Sequence, residues 1–144
     1  MTDILLAFDG SESALRAVRH VVALADLVKP RVHLLHARDP LHLKDIVLVK
    51  DSLKVIEQIE RAHLDAGMEA LAPAKAILNE AGLESEPHVV IGDAAQTIVD
   101  TAAGQRCQLI VMGTRGLGML QSLMVGSVAS KVVHLAEIPV MLVK

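Results

Sequence analysis

Leu109-Ile110-Val111-Met112 runs directly into Gly113-Thr114-Arg115-Gly116-Leu117-Gly118-Met119-Leu120-Gln121-Ser122-Leu123-Met124-Val125-Gly126-Ser127, and the helical stretch Val128 to Leu135 follows. The pattern is a buried strand that empties into a glycine-bearing loop and then a helix. α/β proteins hold phosphate in this way. Glycines let backbone N–H groups approach an anion closely, and the next helix directs its unsatisfied N-terminal donors and positive dipole end at the same point. The loop thus predicts an anion site on an α/β scaffold.

The rest of the chain supplies that scaffold. Ile4-Leu5-Leu6-Ala7-Phe8 is a continuous apolar run closed by Asp9-Gly10-Ser11, as expected of a strand buried on both faces. Leu15, Val18, Val22 and Ala25, with Val21 and Val28, recur at helical spacing, and Ser11 or Ser13 is placed to cap that helix. Pro30 stops it, and Val32 to Ala37 reads as the second strand. Arg38 to Lys50 reads as a loop with a short helical piece. Asp51 to Ala81 is a long helical stretch, in which Pro73 is expected to kink or break the helix. Gly82 is a natural stop. Pro87 to Ile91, Leu109 to Met112 and Pro139 to Val143 supply three more strands, and Gly92-Asp93 starts a helix through about Ala103. Strands and helices therefore alternate throughout, which calls for one α/β domain over residues 1–144: a parallel sheet, doubly wound, with helices on both faces.

Composition narrows the function classes. The 144 residues are 52% hydrophobic, yet the longest apolar runs are four or five residues, far short of the roughly 20 that cross a bilayer. The N-terminus has no basic region ahead of an apolar one, so no signal peptide is expected and the location is expected to be cytoplasmic. Cys107 is the one cysteine, which excludes an intrachain disulfide and reads as a small buried hydrophobe. The net charge of −3, with basic residues scattered, argues against a nucleic-acid surface. Phe8 is the one aromatic residue, so stacking platforms for single strands or flavin are absent.

In an open α/β sheet, ligands bind outside the carboxyl ends of the strands where strand order reverses. Three turns can converge there: Asp9-Gly10-Ser11, Ala37-Arg38-Asp39, and Gly113 to Ser127. The spacing Gly113-x2-Gly116-x9-Gly126-Ser127 is not a P-loop, because no Gly-Lys-Ser/Thr closes it. It is not the dinucleotide turn either, since Gln121 stands where a third glycine belongs. The acidic cluster and late lysine of a receiver domain are also missing.

That glycine spacing, with Leu-Ile-Val-Met before it and Val-Ala-Ser-Lys-Val-Val-His-Leu-Ala-Glu-Ile-Pro-Val-Met-Leu-Val after it, resembles the universal stress protein family. Asp9-Gly10-Ser11-Glu12-Ser13-Ala14, Leu34-Leu35-His36-Ala37 and Gly92-Asp93-Ala94 resemble the family's other turns in the expected order. The resemblance implies a five-stranded parallel sheet in the order 3-2-1-4-5 and, for members with this glycine pattern, binding of ATP or a related adenine nucleotide such as ADP or AMP. Carried over by position, Ala7, Phe8 and Asp9 line the nucleotide, Ala37 flanks the adenine, and Met112 and Gly113 face the ribose and adenine. Arg115, Gly116, Gly126, Ser127, Val128 and Ala129 surround the phosphates, with Ser127 doubling as helix N-cap. No catalytic residue is assigned.

A carboxylate beside a triphosphate is repelled unless a cation intervenes, so Asp9 is expected to act through Mg²⁺, by way of water, or through a ribose hydroxyl. An Asx turn that shapes Asp-Gly-Ser is an equal and compatible role. Arg115 is the only cation from Gly113 to Ser127, where Gln121-Ser122 occupies positions at which the family often has a Lys or Arg, and Lys131 follows one turn into the helix. So few charges predict micromolar affinity. Among the seven histidines, His33 and His36 point to opposite faces of a strand, His42 and His88 are isolated, and no ligand spacing for a transition metal is evident. His36, nearest the pocket, is expected to be structural. Val140-Met141-Leu142-Val143 is an apolar sheet edge, which tends to recruit another strand; the family resemblance likewise implies a homodimer through it. The chain therefore reads as a nucleotide-binding stress-response protein whose ATP occupancy regulates dimer or partner contacts. The alternative is a slow ATPase or autokinase using Mg-ATP.

Overall fold

Strands that are apolar without interruption demand cover on both faces, and the chain supplies it. The computed structural model describes residues 1–38, 53–116 and 125–144. Its elements are β1 (Thr2–Ala7), α1 (Glu12–Val28), β2 (Pro30–Arg38), α2 (Leu53–Glu80), β3 (Ser85–Ile91), α3 (Ala94–Gly104), β4 (Leu109–Gly113), α4 (Ser127–Leu135) and β5 (Val140–Val143). The strands form one five-stranded parallel sheet in the order β3-β2-β1-β4-β5, as expected.

Alternation along each strand divides the core into two layers. Ile4, Leu6, Val32, Leu34 and Val111 face α1 and α2, where Val18, Val21, Leu71 and Leu78 meet them. Leu5, Leu35, Ile110 and Met112 point the other way, against Ile98, Ala102, Ala129 and Val132 of α3 and α4. Each fully buried aliphatic side chain contributes about 1.5–3 kcal/mol. The continuous runs that signalled strands are thus the two faces of the sheet read alternately.

β2 and β3 begin earlier than their apolar runs. Pro30 pairs with Thr2 and Ser85 with Val32, so neighbouring backbone extends each ladder beyond the hydrophobic signal. Pro30, as the first residue of its strand, loses no interior ladder bond. α1 begins at the Ser11 cap, whose hydroxyl accepts from the Ala14 N–H. α2 closes at Gly82, where the Leu83 N–H reaches back to the Leu78 carbonyl at 2.9 Å.

Pro73 was expected to kink or break the long helix; the break is corrected, because α2 runs as one helix from Leu53 to Glu80 with Pro73 inside it. Pro73 is exposed, while Leu71 and Ala74 beside it and Leu78 beyond are fully buried against the sheet. Packing on both sides of the proline holds the helical register against the local penalty. The loop read over 39–50, its helical piece and the expected helix start at Asp51 lie outside the described residues. Because that penalty is offset rather than removed, Pro73→Ala is expected to raise unfolding free energy by about 2–3 kcal/mol. Urea denaturation measures it, and an unchanged midpoint would contradict this account.

Candidate functional site

The chain winds β1→β2→β3 to one side of β1 and then places β4 and β5 on the other. The loops after β1 and β4 therefore diverge, and a cleft opens between them at the carboxyl end of the sheet, where such folds bind ligands. Its cavity volume is about 220 Å³.

Gly113 decides how the cleft is framed. It ends β4 under the first turn of α1, and a Cβ there would lie 2.2 Å from the Ser13 Oγ and 2.7 Å from the Ala14 backbone nitrogen. Only glycine lets that helix start approach so closely. Ser13 Oγ then donates to the Arg115 carbonyl at 2.7 Å, which fixes the outgoing chain. The Thr114 N–H donates to the Val143 carbonyl at 2.9 Å, and the Gly126 N–H donates to the Thr114 carbonyl at 2.6 Å. Both ends of the long glycine loop are thereby pinned to the sheet.

The structure brings all of the expected site residues to this one cleft. Ala7, Phe8 and Asp9 come from the end of β1, Ala37 from β2, Met112 and Gly113 from β4. Arg115 and Gly116 form one rim, and Gly126, Ser127, Val128 and Ala129 form the other at the start of α4. The loop interior between them, with Gln121 and Ser122, lies outside the described residues. Ser11 and Thr114, which belong to the turns expected to converge here, also line the cleft, and so do Ala14, Leu35, Ala94 and Ile98, which were not anticipated. Leu35 was recoverable, since it sits two residues before Ala37 on the same face of β2. Ala94 and Ile98 enter because α3 begins beside the cleft, which only the packing reveals.

Asp9 forms the Asx turn, with its Oδ1 accepting from the Ser11 N–H at 2.9 Å. Its Oδ2 lies 3.1 Å from where a Gly116 Cβ would stand, so the missing side chain of Gly116 makes room for the carboxylate. Ser127 is not the N-cap as expected: Gly126 holds that position, and among the described residues no side chain caps the helix there. By contrast, Ser11 caps α1 and Asp93 caps α3 through the Gln96 N–H. Ser127 begins the helix because Gly126 already has the extended cap backbone, so the first-turn donors of α4 are left to the cleft.

Among the described residues, Asp9 and Arg115 are the only ionisable side chains that line the cleft. Lys131 is turned elsewhere, 3.2 Å from Asp93. The Gln96 backbone bond and then Lys131 hold the Asp93 carboxyl below its ordinary range. The Thr114 hydroxyl is buried and, among the described residues, has no hydrogen-bond partner. His36 is structural as expected, with its Nδ1 2.9 Å from the Phe8 carbonyl oxygen. Cys107 is a buried free thiol that desolvation, and secondarily Asp3, pushes up to about 11, which suits an inert core residue.

These features define a doubly wound α/β protein with a small-residue cleft and an open helix start at its switch point. The family model of the universal stress protein family matches residues 1–144, and the chain belongs to that family. A Thermus aquaticus protein, named a universal stress protein in the QAH/OAS sulfhydrylase 3′ region, is 37% identical over 144 residues, covering 98% of this chain and 97% of its own. The solved structure of MJ0577 from Methanocaldococcus jannaschii matches with a TM-score of 0.83 at 26% identity, covering 99% of this chain and 95% of that one. A universal stress protein from Archaeoglobus fulgidus, solved in complex with dAMP, matches with a TM-score of 0.68 at 25% identity, covering 100% and 98% respectively.

Since the Gly113 contact is against backbone, Gly113→Ala is expected to lower stability by about 1–3 kcal/mol. A denaturation midpoint within error of the parent would show that α1 is free to shift.

Proposed function

We propose that this cleft binds an adenine nucleotide, ATP in the first instance, and that occupancy regulates dimer or partner contacts in a stress response. The observation that carries the reading is the first turn of α4, which opens into the cleft with no side chain of the described residues capping it. Its free N–H groups and positive dipole end suit phosphate oxygens. Gly126, Ser127, Val128 and Ala129 would face the phosphates, with Arg115 and Gly116 on the opposite rim. Ala7, Phe8, Ala37, Met112 and Gly113 would receive the adenosine, with the small side chains leaving room for a ring. The Thr114 hydroxyl supports the reading as a polar group in want of a partner. The dAMP complex of the Archaeoglobus fulgidus relative supports the choice of adenine.

Mg²⁺ would be held by Asp9, whose carboxylate offers the hard oxygen donor of the cleft, by way of water. It would neutralise phosphate charge that Arg115 alone does not offset. With no histidine, lysine or further carboxylate among the described lining residues, binding and regulation fit better than efficient turnover. Slow ATPase or autokinase activity with Mg-ATP is the second reading, because phosphoryl transfer is chiefly positioning and charge neutralisation. The nucleotide-binding unit would comprise residues 1–144, and no helix among the described residues is long and apolar enough to cross a membrane. A cytoplasmic location is part of the proposal.

Calorimetry with ATP, ADP and AMP, with and without Mg²⁺, is expected to give micromolar dissociation constants. Ser127→Asp puts a carboxylate on the first turn of α4, where it suits the dipole but repels phosphate; it is expected to weaken ATP at least tenfold with the fold intact. Absence of heat and of competition at millimolar nucleotide would remove the site, and labelled phosphate released or retained on the chain would favour the second reading. A homodimer through the outer edge of β5 (Val140–Val143) completes the proposal. Light scattering at micromolar concentration is expected to give about twice the 15.4 kDa chain mass; a monomeric mass would contradict it.

A further inference from the structure

Histidines that look scattered along the chain meet on the sheet. His33 lies opposite Glu86 in the β2–β3 register, and His88 follows Glu86 by two residues, so all three side chains share one face. His33 Nδ1 is 3.1 Å from His88 Nε2 and 3.5 Å from Glu86 Oε2, and His88 Nε2 is 4.0 Å from Glu86 Oε1. Ligand atoms that share one tetrahedral ion at about 2.0–2.1 Å lie about 3.3–3.4 Å from each other, so the spacing is close to that of a formed site. The cluster stands near the amino ends of β2 and β3, whereas the cleft lies at the carboxyl ends.

A second observation points the same way. The other ring nitrogen of His33, Nε2, lies 3.3 Å from Asp3 Oδ1. An imidazole whose far N–H donates to a carboxylate keeps its near nitrogen bare and is held in orientation, which is how proteins prepare a metal-binding histidine. Arg31, 3.5 Å from the same oxygen, in turn steadies Asp3. We propose that His33, His88 and Glu86 bind a divalent transition-metal ion of the zinc type, with Asp3 as the positioning residue behind His33. Two nitrogen donors and one carboxylate select such an ion over Mg²⁺ or Ca²⁺, which take oxygen donors.

Burial divides the roles. His33 is 4% exposed and anchors the site, while Glu86 is 60% exposed and stands at the rim. Solvent on that side completes the coordination shell. Burial, opposed by Glu86 and reinforced by His33, lowers the affinity of His88 for a second proton. Before metal enters, His33 Nδ1 and His88 Nε2 share one proton across 3.1 Å. When the ion binds, that proton leaves to solvent and the ring that held it takes one on its other nitrogen, so both imidazoles become neutral ligands.

The test is titration of the full chain with ZnCl₂ by calorimetry in a non-coordinating buffer, followed by Co²⁺ with visible absorption. One equivalent is expected to bind with micromolar affinity, and Co²⁺ is expected to give ligand-field bands that Zn²⁺ displaces. Glu86→Gln, at an exposed position where folding is not at stake, and His88→Ala are each expected to weaken Zn²⁺ at least tenfold. Asp3→Asn is expected to weaken it by about 10–100-fold and to alter the Co²⁺ bands, which a purely structural aspartate would not do. His20→Ala, on the exposed face of α1, is expected to leave binding unchanged. No saturable binding, or equal affinity in Glu86→Gln and the parent, would overturn the proposal and leave a hydrogen-bonded histidine pair.

Discussion

The close contact between the first turn of α1 and the end of β4 is the constraint on which the site depends. A single missing Cβ, at Gly113, lets Ser13 sit on the strand end and donate to the Arg115 carbonyl. That bond holds the outgoing chain beside the turn after β1, where Gly116 meets Asp9, while Thr114 bonds β5 and receives Gly126. Cleft, loop base and edge strand are therefore fixed by one small group of backbone contacts. Gly113 was expected to touch a ligand, and it does line the cleft, but its lack of a side chain serves the helix behind it.

Much of the fold was legible because the strands are buried on both faces. Ile4 to Phe8 and Leu109 to Met112 leave no polar alternation to confuse them with surface strands, and Asp9-Gly10-Ser11 after β1 and Gly92-Asp93 after β3 mark where a strand gives way to a helix. The candidate site was legible for a related reason: ligand positions in this topology fall on the turns after β1, β2 and β4, which glycines and small residues announce. What escaped notice has physical causes. Pro73 carries a strong local signal against a helix, yet the buried Leu71, Ala74 and Leu78 outweigh it. Ser127 looked like a cap, but the cap position is set by Gly126 backbone geometry rather than by residue type. Ala94 and Ile98 reach the cleft only through packing between elements.

The histidine cluster marks the deeper limit of reading along a chain. Spacing within one element compares His33 with His36, which do point apart. The meeting of His33 with Glu86 and His88 is created by β2–β3 register, and register is a relation between segments about fifty residues apart. Asp3 arrives from a third strand. The cluster also occupies the end of the sheet opposite the cleft, so the two regions share β1 and β2 without sharing residues.

The Ser13–Arg115 contact joins residues 102 apart in sequence, and this bears on how the molecule comes into being. β1 lies at the centre of the sheet but acquires its second neighbour only when β4 docks. Loop closure over such a span is entropically costly before any pairing repays it, which places this chain among the slow, topology-limited folders. A nascent chain that ends before β4 lacks Met112, Gly113 and the start of α4 and so has no cleft. The cleft is therefore completed only once β4 and the start of α4 have docked.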